Sequence, residues 1–217
     1  MRKGLLLAGV AALTLAGAAG TWWWASAPAT PPPGYTILTQ VDLSRLSLAL
    51  HDGDLVFRRG TGRVSRYAAN AGGGYFSHVG LLLPGDGGWR VMHTEADEHT
   101  GVGGVRNDTL EHFLAEAQGV AVVRLRMSDE QLQAIAALAA DAHWQSIPFD
   151  AAFTLDDDGA AMYCTEWVQA LVLAATGEDI ARPRSLWFGR EVISIEDLLQ
   201  SPRVQPVLEH RLPGDPY

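Results

Sequence analysis

Cys164 is the single cysteine in a chain of 217 residues that also carries seven histidines. A thiol and an imidazole are the minimum that a nucleophilic hydrolase needs, because the imidazole takes the thiol proton as the sulfur attacks a carbonyl carbon. A lone thiol also occurs as a small buried apolar side chain, or as one half of a disulfide to another chain. The position of Cys164 along the chain favours catalysis.

Cys164 stands where a helical pattern begins. Trp167, Val168 and Leu171 recur at the spacing of one helical face, and the pattern ends at Gly177. The first turn of a helix offers free N–H groups and a positive electrostatic potential. These lower the pKa of a thiol and also hold an oxyanion. We therefore expect Cys164 to be an accessible nucleophile with a low pKa.

Two histidines lie in apolar segments of strand length, at residues 76–83 and 89–95. We predict that His78, in the first segment, is the base that serves Cys164, with His93 in the second segment as the runner-up. The other five histidines occur in polar, loop or helix-surface contexts: His51, His99, His112, His143 and His210.

Glu95 is the group expected to orient His78, because a base histidine needs its second nitrogen held. Turn residues 84–88 join the two segments, so the strands should pair antiparallel. That pairing brings Glu95 to within about one step of direct opposition to His78. Asp97, two residues further out, is the fallback.

Four short motifs carry a family resemblance: Gly53-Asp54-Leu55-Val56-Phe57, Ser77-His78-Val79-Gly80, Glu95-Ala96 and Tyr163-Cys164-Thr165-Glu166. Over residues 50–175 the chain resembles the circularly permuted papain-like amidases, the YiiX/YebB-like group of the NlpC superfamily. In ordinary papain-like enzymes the cysteine precedes the histidine, whereas here the order is histidine, acid, cysteine. The resemblance implies Cys164 as nucleophile, His78 as base and Glu95 as orienter. It also implies a tyrosine before the cysteine, which is Tyr163.

The strands and helices that must position these residues are predicted to occur in separate blocks of the sequence. Strands are predicted at residues 53–57, 76–83, 89–95 and 120–125, and helices at 110–118, 128–144 and 164–176, the first of them capped by Asp108. The Gly- and Arg-rich stretch after the first strand is predicted to be a loop. The fold class is α+β, a permuted papain-like fold with a small antiparallel sheet packed against helices. The cysteine helix should abut the His78 strand.

The N-terminus has the pattern of an export leader, with Arg2 and Lys3 before an apolar run over residues 4–20. Small-residue sites at 16–18 and 25–27 favour cleavage as a signal peptide. Retention as an anchor would instead place the tryptophans at 22–24 at the membrane interface.

The chain accordingly divides into three parts. Residues 1–27 form the signal peptide or N-terminal membrane anchor, residues 28–36 a Pro-rich linker, and residues 37–217 the hydrolase domain. The domain is expected in the periplasm or cell envelope, with or without tethering to the inner membrane.

The formal net charge of −9 argues against nucleic acid as a partner, since an acidic domain gains nothing from phosphate backbones. His93, Glu95, Asp97 and His99 alternate in sequence, but alternate residues at a strand end rarely close a metal site, so no metal or other cofactor is expected. The predicted function is cleavage of an amide in a small peptide, a peptidoglycan fragment or a lipid amide. The alternatives are a thiol-dependent lipid acyltransferase or esterase, and a non-catalytic envelope binding module.

Overall fold

The computed structural model describes residues 36–212. The predicted leader, residues 1–27, and nearly all of the predicted linker, residues 28–36, lie outside the described residues and stay predictions. Between residues 36 and 212, no helix is both long and apolar enough to cross a membrane.

The described chain alternates short helices and strands after a 3₁₀ turn at Ile37–Thr39. Its helices are α1 (Leu43–Ala49), α2 (Arg63–Gly72), α3 (Leu110–Leu114), α4 (Asp129–Ala139), α5 (Ala142–Gln145), α6 (Cys164–Thr176) and α7 (Ile195–Leu199). Its strands are β1 (Leu55–Arg59), β2 (His78–Gly85), β3 (Gly88–Ala96), β4 (Gly103–Thr109), β5 (Gly119–Leu125), β6 (Ser185–Trp187), β7 (Arg190–Val192) and β8 (Val204–Arg211).

Six strands form one antiparallel sheet in the order β4-β3-β2-β1-β5-β8, and β6 and β7 form a separate hairpin. The fold is the predicted antiparallel sheet packed against helices. As predicted, α6, the helix that begins at Cys164, packs against β2, the strand that begins at His78.

The two faces of the sheet bury separate cores, because successive residues of a strand point to opposite faces. Leu55 and Phe57 of β1 enter a core that contains Trp167 of α6. Val56, between them, enters a second core that contains Phe113 of α3. Helices α6 and α3 therefore cover opposite faces of the sheet.

The four predicted strands and the helix that starts at Cys164 are confirmed. The helix predicted over residues 128–144 is too long: α4 ends at Ala139, because Asp141 caps the separate short helix α5. Asp108 was predicted to cap α3, but Asp108 lies in β4 and the Thr109 side chain caps α3 instead.

Several elements were not predicted. The stretch predicted as a loop contains the ten-residue helix α2. Strand β4 has the sequence GGVRNDT, which lacks apolar alternation because β4 is an edge strand with mostly exposed side chains. The pattern of a half-buried strand is therefore missing from the very segment that carries Asp108.

The Gly53-Asp54 motif fixes the start of β1. Asp54 is fully buried and accepts two hydrogen bonds from Arg124 of β5, at 2.8 and 3.0 Å, and one from His51 N–H. Gly53 has a φ of +81°, and a Cβ there would meet the Leu132 side chain at 2.8 Å. The motif therefore has a structural explanation: it ties the turn before β1 to a neighbouring strand.

Asp54→Asn should lower the free energy of unfolding by roughly 2 kcal/mol, because it leaves Arg124 without its carboxylate partner in a largely dry setting. Urea denaturation followed by circular dichroism measures this. Asp86→Asn, on the exposed turn between β2 and β3, is the control and should change stability by less than about 0.5 kcal/mol. Equal midpoints for the two variants would contradict this role of Asp54.

Candidate active site

Cys164 occupies the first position of α6, as the sequence predicts, with Tyr163 as the N-cap residue. The backbone N–H groups of Val79 and Thr165 lie near the sulfur and act to lower the pKa of the thiol. Strand β2 and the first turn of α6 thus meet at this sulfur. Among the described residues, Cys164 has no hydrogen bond to His78, although both side chains line the same cleft.

The thiol of Cys164 differs from the accessible, low-pKa group that the sequence predicts. The residue is 6% exposed, and burial raises the pKa of the thiol to about 11. The two backbone N–H groups act in the predicted direction and lower it, but desolvation of a thiolate outweighs them here. The resting sulfur is therefore a protonated thiol at neutral pH.

Tyr163 lies against the nucleophile as a wall of the site. Its hydroxyl oxygen accepts a hydrogen bond from Ile193 N–H at 2.8 Å, and its ring is buried. Thr165 binds the same segment, since its hydroxyl donates to the Ile193 carbonyl at 2.6 Å. These two bonds fix the start of α6, and with it Cys164, to the chain just before α7.

His78 is held by a second histidine. His78 Nε2 lies 2.8 Å from His93 Nδ1, and His93 Nε2 lies 3.2 Å from Asp108 Oδ2. The Phe113 ring covers both imidazoles, with centroid distances of 5.6 and 5.0 Å. Three adjacent strands, β2, β3 and β4, therefore supply a hydrogen-bonded row of imidazole, imidazole and carboxylate.

The charge of Asp108 determines where the protons lie in this row. Its hydrogen bond to His93 is the main cause that lowers the Asp108 pKa to about 2, so the carboxylate is ionised at neutral pH. A carboxylate only accepts, so His93 Nε2 carries a proton and His93 Nδ1 is left as an acceptor. His78 must then donate from Nε2, which leaves its Nδ1 without a proton and available as a base.

Both histidines are neutral in this arrangement. Burial, helped by the nearby Arg58 guanidinium, places the pKa of His78 well below its ordinary value. Burial also lowers the pKa of His93, although the Asp108 carboxylate opposes that shift. The ground state is thus a neutral thiol beside a neutral imidazole.

Glu95 makes contacts other than the predicted one with His78. The pairing of β2 with β3 includes Leu81 opposite Met92, and the same register continued brings His78 opposite Glu95. The hydrogen bond of the Glu95 carboxylate goes to Arg58, and Arg106 lies 3.5 Å away. The role of Glu95 as orienter stays a prediction, while the contact that holds His78 is made by His93.

Asp97, the fallback orienter, caps a loop. Its carboxylate accepts from the backbone N–H groups of His99 and Thr100 and from the Thr100 hydroxyl. These hydrogen bonds hold the exposed turn between β3 and β4. Asp97 therefore has a structural role in this turn that does not involve His78.

His93, Glu95 and Asp108 bring potential ligand atoms to within 4.8 Å of one another, close enough for a metal ion. The same carboxylates are engaged by arginines, however: Glu95 by Arg58, and Asp108 by Arg106 at 3.2 Å. A divalent cation would have to displace or lie against two guanidinium groups. The donor set therefore does not fit a resident metal.

Two depressions meet at Cys164. One is a charged cleft whose lining includes Arg58, His78 and Glu95. The other is a mainly apolar groove whose lining includes Tyr163 and Trp187. Ser77 and Phe153 line both depressions, so the two are continuous beside Cys164.

The contacts that sequence reasoning missed are the hydrogen bond of Asp108 with His93, the hydrogen bond of His93 with His78, and the ion pair of Arg58 with Glu95. Arg58 lies directly opposite His78 in the β1–β2 register, and Arg106 lies opposite His93 in the β3–β4 register. A signal for Asp108 was present in its alternation with Arg106, but the strand that carries both residues was not recognised.

A family model described as permuted papain-like amidase enzyme, YaeF/YiiX, C92 family, matches residues 49–205. Among solved structures, the crystal structure of the metalloprotein YiiX from Escherichia coli O157:H7 superposes with a TM-score of 0.62 at 21% identity, covering 74% of this chain and 98% of that chain. At this identity the likeness shows the fold alone. No curated protein matches the chain.

The rate of Cys164 alkylation by iodoacetamide should rise continuously between pH 6 and pH 9. Because burial raises the thiol pKa, the reactive thiolate accumulates only as pH rises toward about 11. Intact-mass spectrometry of the full chain measures the rate, and Cys164→Ser is the control for reaction elsewhere. A rate that is already at its plateau at pH 6 would instead indicate a preformed thiolate–imidazolium pair.

Proposed function

The chain belongs to the permuted papain-like amidase family, whose model matches residues 49–205, and we propose that it is an exported cysteine hydrolase that cleaves an amide bond. The observation that carries this proposal is one cleft lined by both Cys164, at the start of α6, and His78, whose Nε2 is held by the row of His93 and Asp108. The substrate class is an amide of a small peptide, a peptidoglycan fragment or a lipid.

In the proposed reaction, the substrate carbonyl settles next to the sulfur, and His78 takes the thiol proton as Sγ attacks. The hydrogen bond between Sγ and His78 forms at this stage, since catalytic hydrogen bonds often tighten only with substrate present. The carbonyl oxygen becomes an oxyanion, and the N–H groups at the start of α6 are the donors nearest to it. The C–N bond then breaks as His78 gives its proton to the leaving amine.

Water completes the cycle. His78 takes a proton from the water, which attacks the thioester of Cys164 and releases the acid and the free thiol. Each half of the reaction makes His78 transiently cationic. His93 and the ionised Asp108 support that cation, because His78 Nε2–H donates to His93 and His93 in turn donates to the carboxylate.

Glu95 acts in this proposal through charge. Arg58 lowers the pKa of His78 and so weakens it as a base. The Glu95 carboxylate pairs with Arg58 and neutralises much of that effect. Glu95 therefore tunes the strength of the base, whereas Asp108 sets which nitrogen of His78 carries the proton.

Asp108→Asn should lower kcat on the order of 1,000-fold with little change in KM. An asparagine amide can donate to His93 Nε2, which would move the His93 proton to Nδ1 and force the wrong tautomer on His78. Glu95→Gln should cost only about tenfold and shift the acid limb of the pH profile to lower pH, since Arg58 then lowers the His78 pKa further.

The matched control is Asp97→Asn, which changes an acid on the same cleft that only caps a loop, and it should retain nearly full activity. His93→Gln should lose activity to an extent comparable with Asp108→Asn. If Glu95→Gln is the crippled variant and Asp108→Asn is active, the orienter is Glu95 and the His93–Asp108 row is structural.

Export remains part of the proposal on the basis of Arg2, Lys3 and the apolar run over residues 4–20. Alkaline phosphatase fused after Pro33 should be active in a Gram-negative host, because that reporter folds only outside the cytoplasm. Replacing residues 4–20 by a polar linker of equal length is the control and should abolish activity. A fusion that is inactive with the native leader would argue against export, and the mass of the mature N-terminus distinguishes cleavage from anchoring.

A second candidate function, acyl transfer to an amine in place of water, uses the same acyl-enzyme. Product analysis with an added primary amine distinguishes the two, since transfer yields a new amide and hydrolysis yields the free acid. A non-catalytic binding module is disfavoured by the cleft that brings Cys164 and His78 together.

A further inference from the structure

Ile193 and Ser194, between β7 and α7, share one peptide group that is hydrogen-bonded on both sides. Its carbonyl, from Ile193, accepts from the Thr165 hydroxyl at 2.6 Å. Its N–H, from Ser194, donates to the Asp197 carboxylate at 2.8 Å. Ile193, Ser194 and Thr165 are all buried, so little water competes for these bonds. The peptide group therefore connects Asp197 of α7 to Thr165 of α6.

Asp197 binds more groups than a helix cap requires. With Ser194 it forms the capping box of α7, in which each side chain bonds the backbone N–H of the other residue. The same carboxylate also accepts from Ser185 N–H at 3.0 Å and from the Ser185 hydroxyl at 2.7 Å. Ser185 begins β6 and pairs with Val192, which ends β7. Asp197 therefore joins the base of the β6–β7 hairpin to the start of α7 and holds the segment between them.

The other end of this connection reaches the residues on both sides of Cys164. Thr165 follows the nucleophile in sequence, and Tyr163, which precedes it, accepts from Ile193 N–H at 2.8 Å. Ile193 thus bonds both neighbours of Cys164. The backbone N–H of Thr165 also lies near the sulfur. A displacement of Ile193 would therefore be transmitted to the first turn of α6.

The N–H groups of that turn serve the reaction only when they are aimed correctly. Donors that stabilise an oxyanion must already point at the place where its charge develops. A misplacement of about 1 Å in such a site costs on the order of 100-fold in rate. The first N–H groups of a helix have no carbonyl partner within the helix, so bonds from outside the helix have to hold them. The hydroxyl bond of Thr165 to the Ile193 carbonyl is such a bond.

We infer that Asp197 is a positioning residue of the reaction: through the Ile193–Ser194 peptide group and Thr165, it fixes the N–H groups at the start of α6 that bind the oxyanion. This inference rests on the proposed function and adds a residue to it from outside the cleft. Asp197 lines neither of the two depressions that meet at Cys164. Its effect on the reaction is therefore indirect.

The experiment compares two reactions of Cys164 in the full chain, of which only one forms an oxyanion. p-Nitrophenyl acetate acylates the thiol through a tetrahedral oxyanion and releases p-nitrophenolate. Iodoacetamide alkylates the same sulfur by direct displacement of iodide, without an oxyanion. A residue that holds only the nucleophile or the fold changes both rates alike, whereas a residue that positions the oxyanion donors lowers the acylation rate more.

Asp197→Ala should lower the acylation rate about tenfold and the alkylation rate less than about twofold, because one well-placed hydrogen bond to the oxyanion is weakened. Thr165→Val should have the same effect, while Thr165→Ser, which keeps the hydroxyl, should retain most of the rate. The double variant Asp197→Ala/Thr165→Val should lose about tenfold rather than about 100-fold, since both residues act on one connection.

Gln131→Ala is the matched control, because Gln131 completes the capping box of α4 with Ser128 as Asp197 completes that of α7 with Ser194. It should leave both rates unchanged. Equal losses of acylation and alkylation in Asp197→Ala, or a loss of about 100-fold in the double variant, would overturn the inference. An Asp197→Ala variant with the full acylation rate would also overturn it.

Amide hydrogen exchange, followed by NMR, separates failure of this inference from failure of the proposed function. If the unmodified protein is not acylated by p-nitrophenyl acetate and cleaves no amide, the proposed function fails. Faster exchange of the Thr165 amide in Asp197→Ala, with exchange of the Leu171 amide in the body of α6 unchanged, would still support the connection in that case. Equal exchange of the Thr165 amide in the two proteins would overturn it.

Discussion

The hydrogen-bonded row from His78 through His93 to Asp108 depends on one constraint, the register of three adjacent strands. Each member lies on a different strand of the sheet, and the spacing between antiparallel strands matches the span of one imidazole ring between two partners. A shift of one residue in either pairing would turn a member to the opposite face. The tautomer of His78 therefore depends on how the strands of the sheet pair.

Burial has opposite consequences for the two halves of the site. Desolvation raises the pKa of the Cys164 thiol and lowers that of His78, so both effects favour the neutral pair. Positive charge from Arg58 lowers both pKa values, so it favours the neutral imidazole and opposes burial at the thiol, while Glu95 raises the pKa of the thiol. In water, solvent molecules must reorient to stabilise separated charges. In this site, groups that the fold has already fixed stabilise them: the N–H donors beside the sulfur and the carboxylate of Asp108.

Much of the fold, including the helix that starts at Cys164 and the strand that carries His78, could be predicted from the sequence, because these elements have strong local patterns. Helix α6 has an apolar face and starts at the cysteine, and β2 is a continuous apolar run. The antiparallel pairing of β2 with β3 also followed from counting residues about the turn between them, and it places Glu95 on the strand next to His78. The partner of the Glu95 carboxylate could not be predicted in this way, because counting residues predicts only which backbone positions lie near each other. It does not predict which of two neighbouring arginines the carboxylate binds.

Asp108 could not be predicted for a different reason. Strand β4 lies at the sheet edge, so its side chains are polar and lack the alternation by which a strand is recognised. The direction of the Cys164 pKa shift was wrong, because the prediction considered the position of the cysteine in its helix and not its burial. The sequence does not show how closely α6 packs against the sheet. For both Asp108 and Cys164, the missing information was the tertiary structure.

The burial of Cys164 favours a reaction between neutral groups. Desolvation raises the pKa of the thiol and lowers that of His78, so a preformed thiolate–imidazolium pair is unstable here, and charge has to develop as the C–S bond forms. The developing oxyanion and imidazolium then lie in a low-dielectric setting, where the N–H groups at the start of α6 and the carboxylate of Asp108 act more strongly than they would in water. A buried thiol of raised pKa is therefore compatible with catalysis, because the same burial strengthens the groups that act on the transition state.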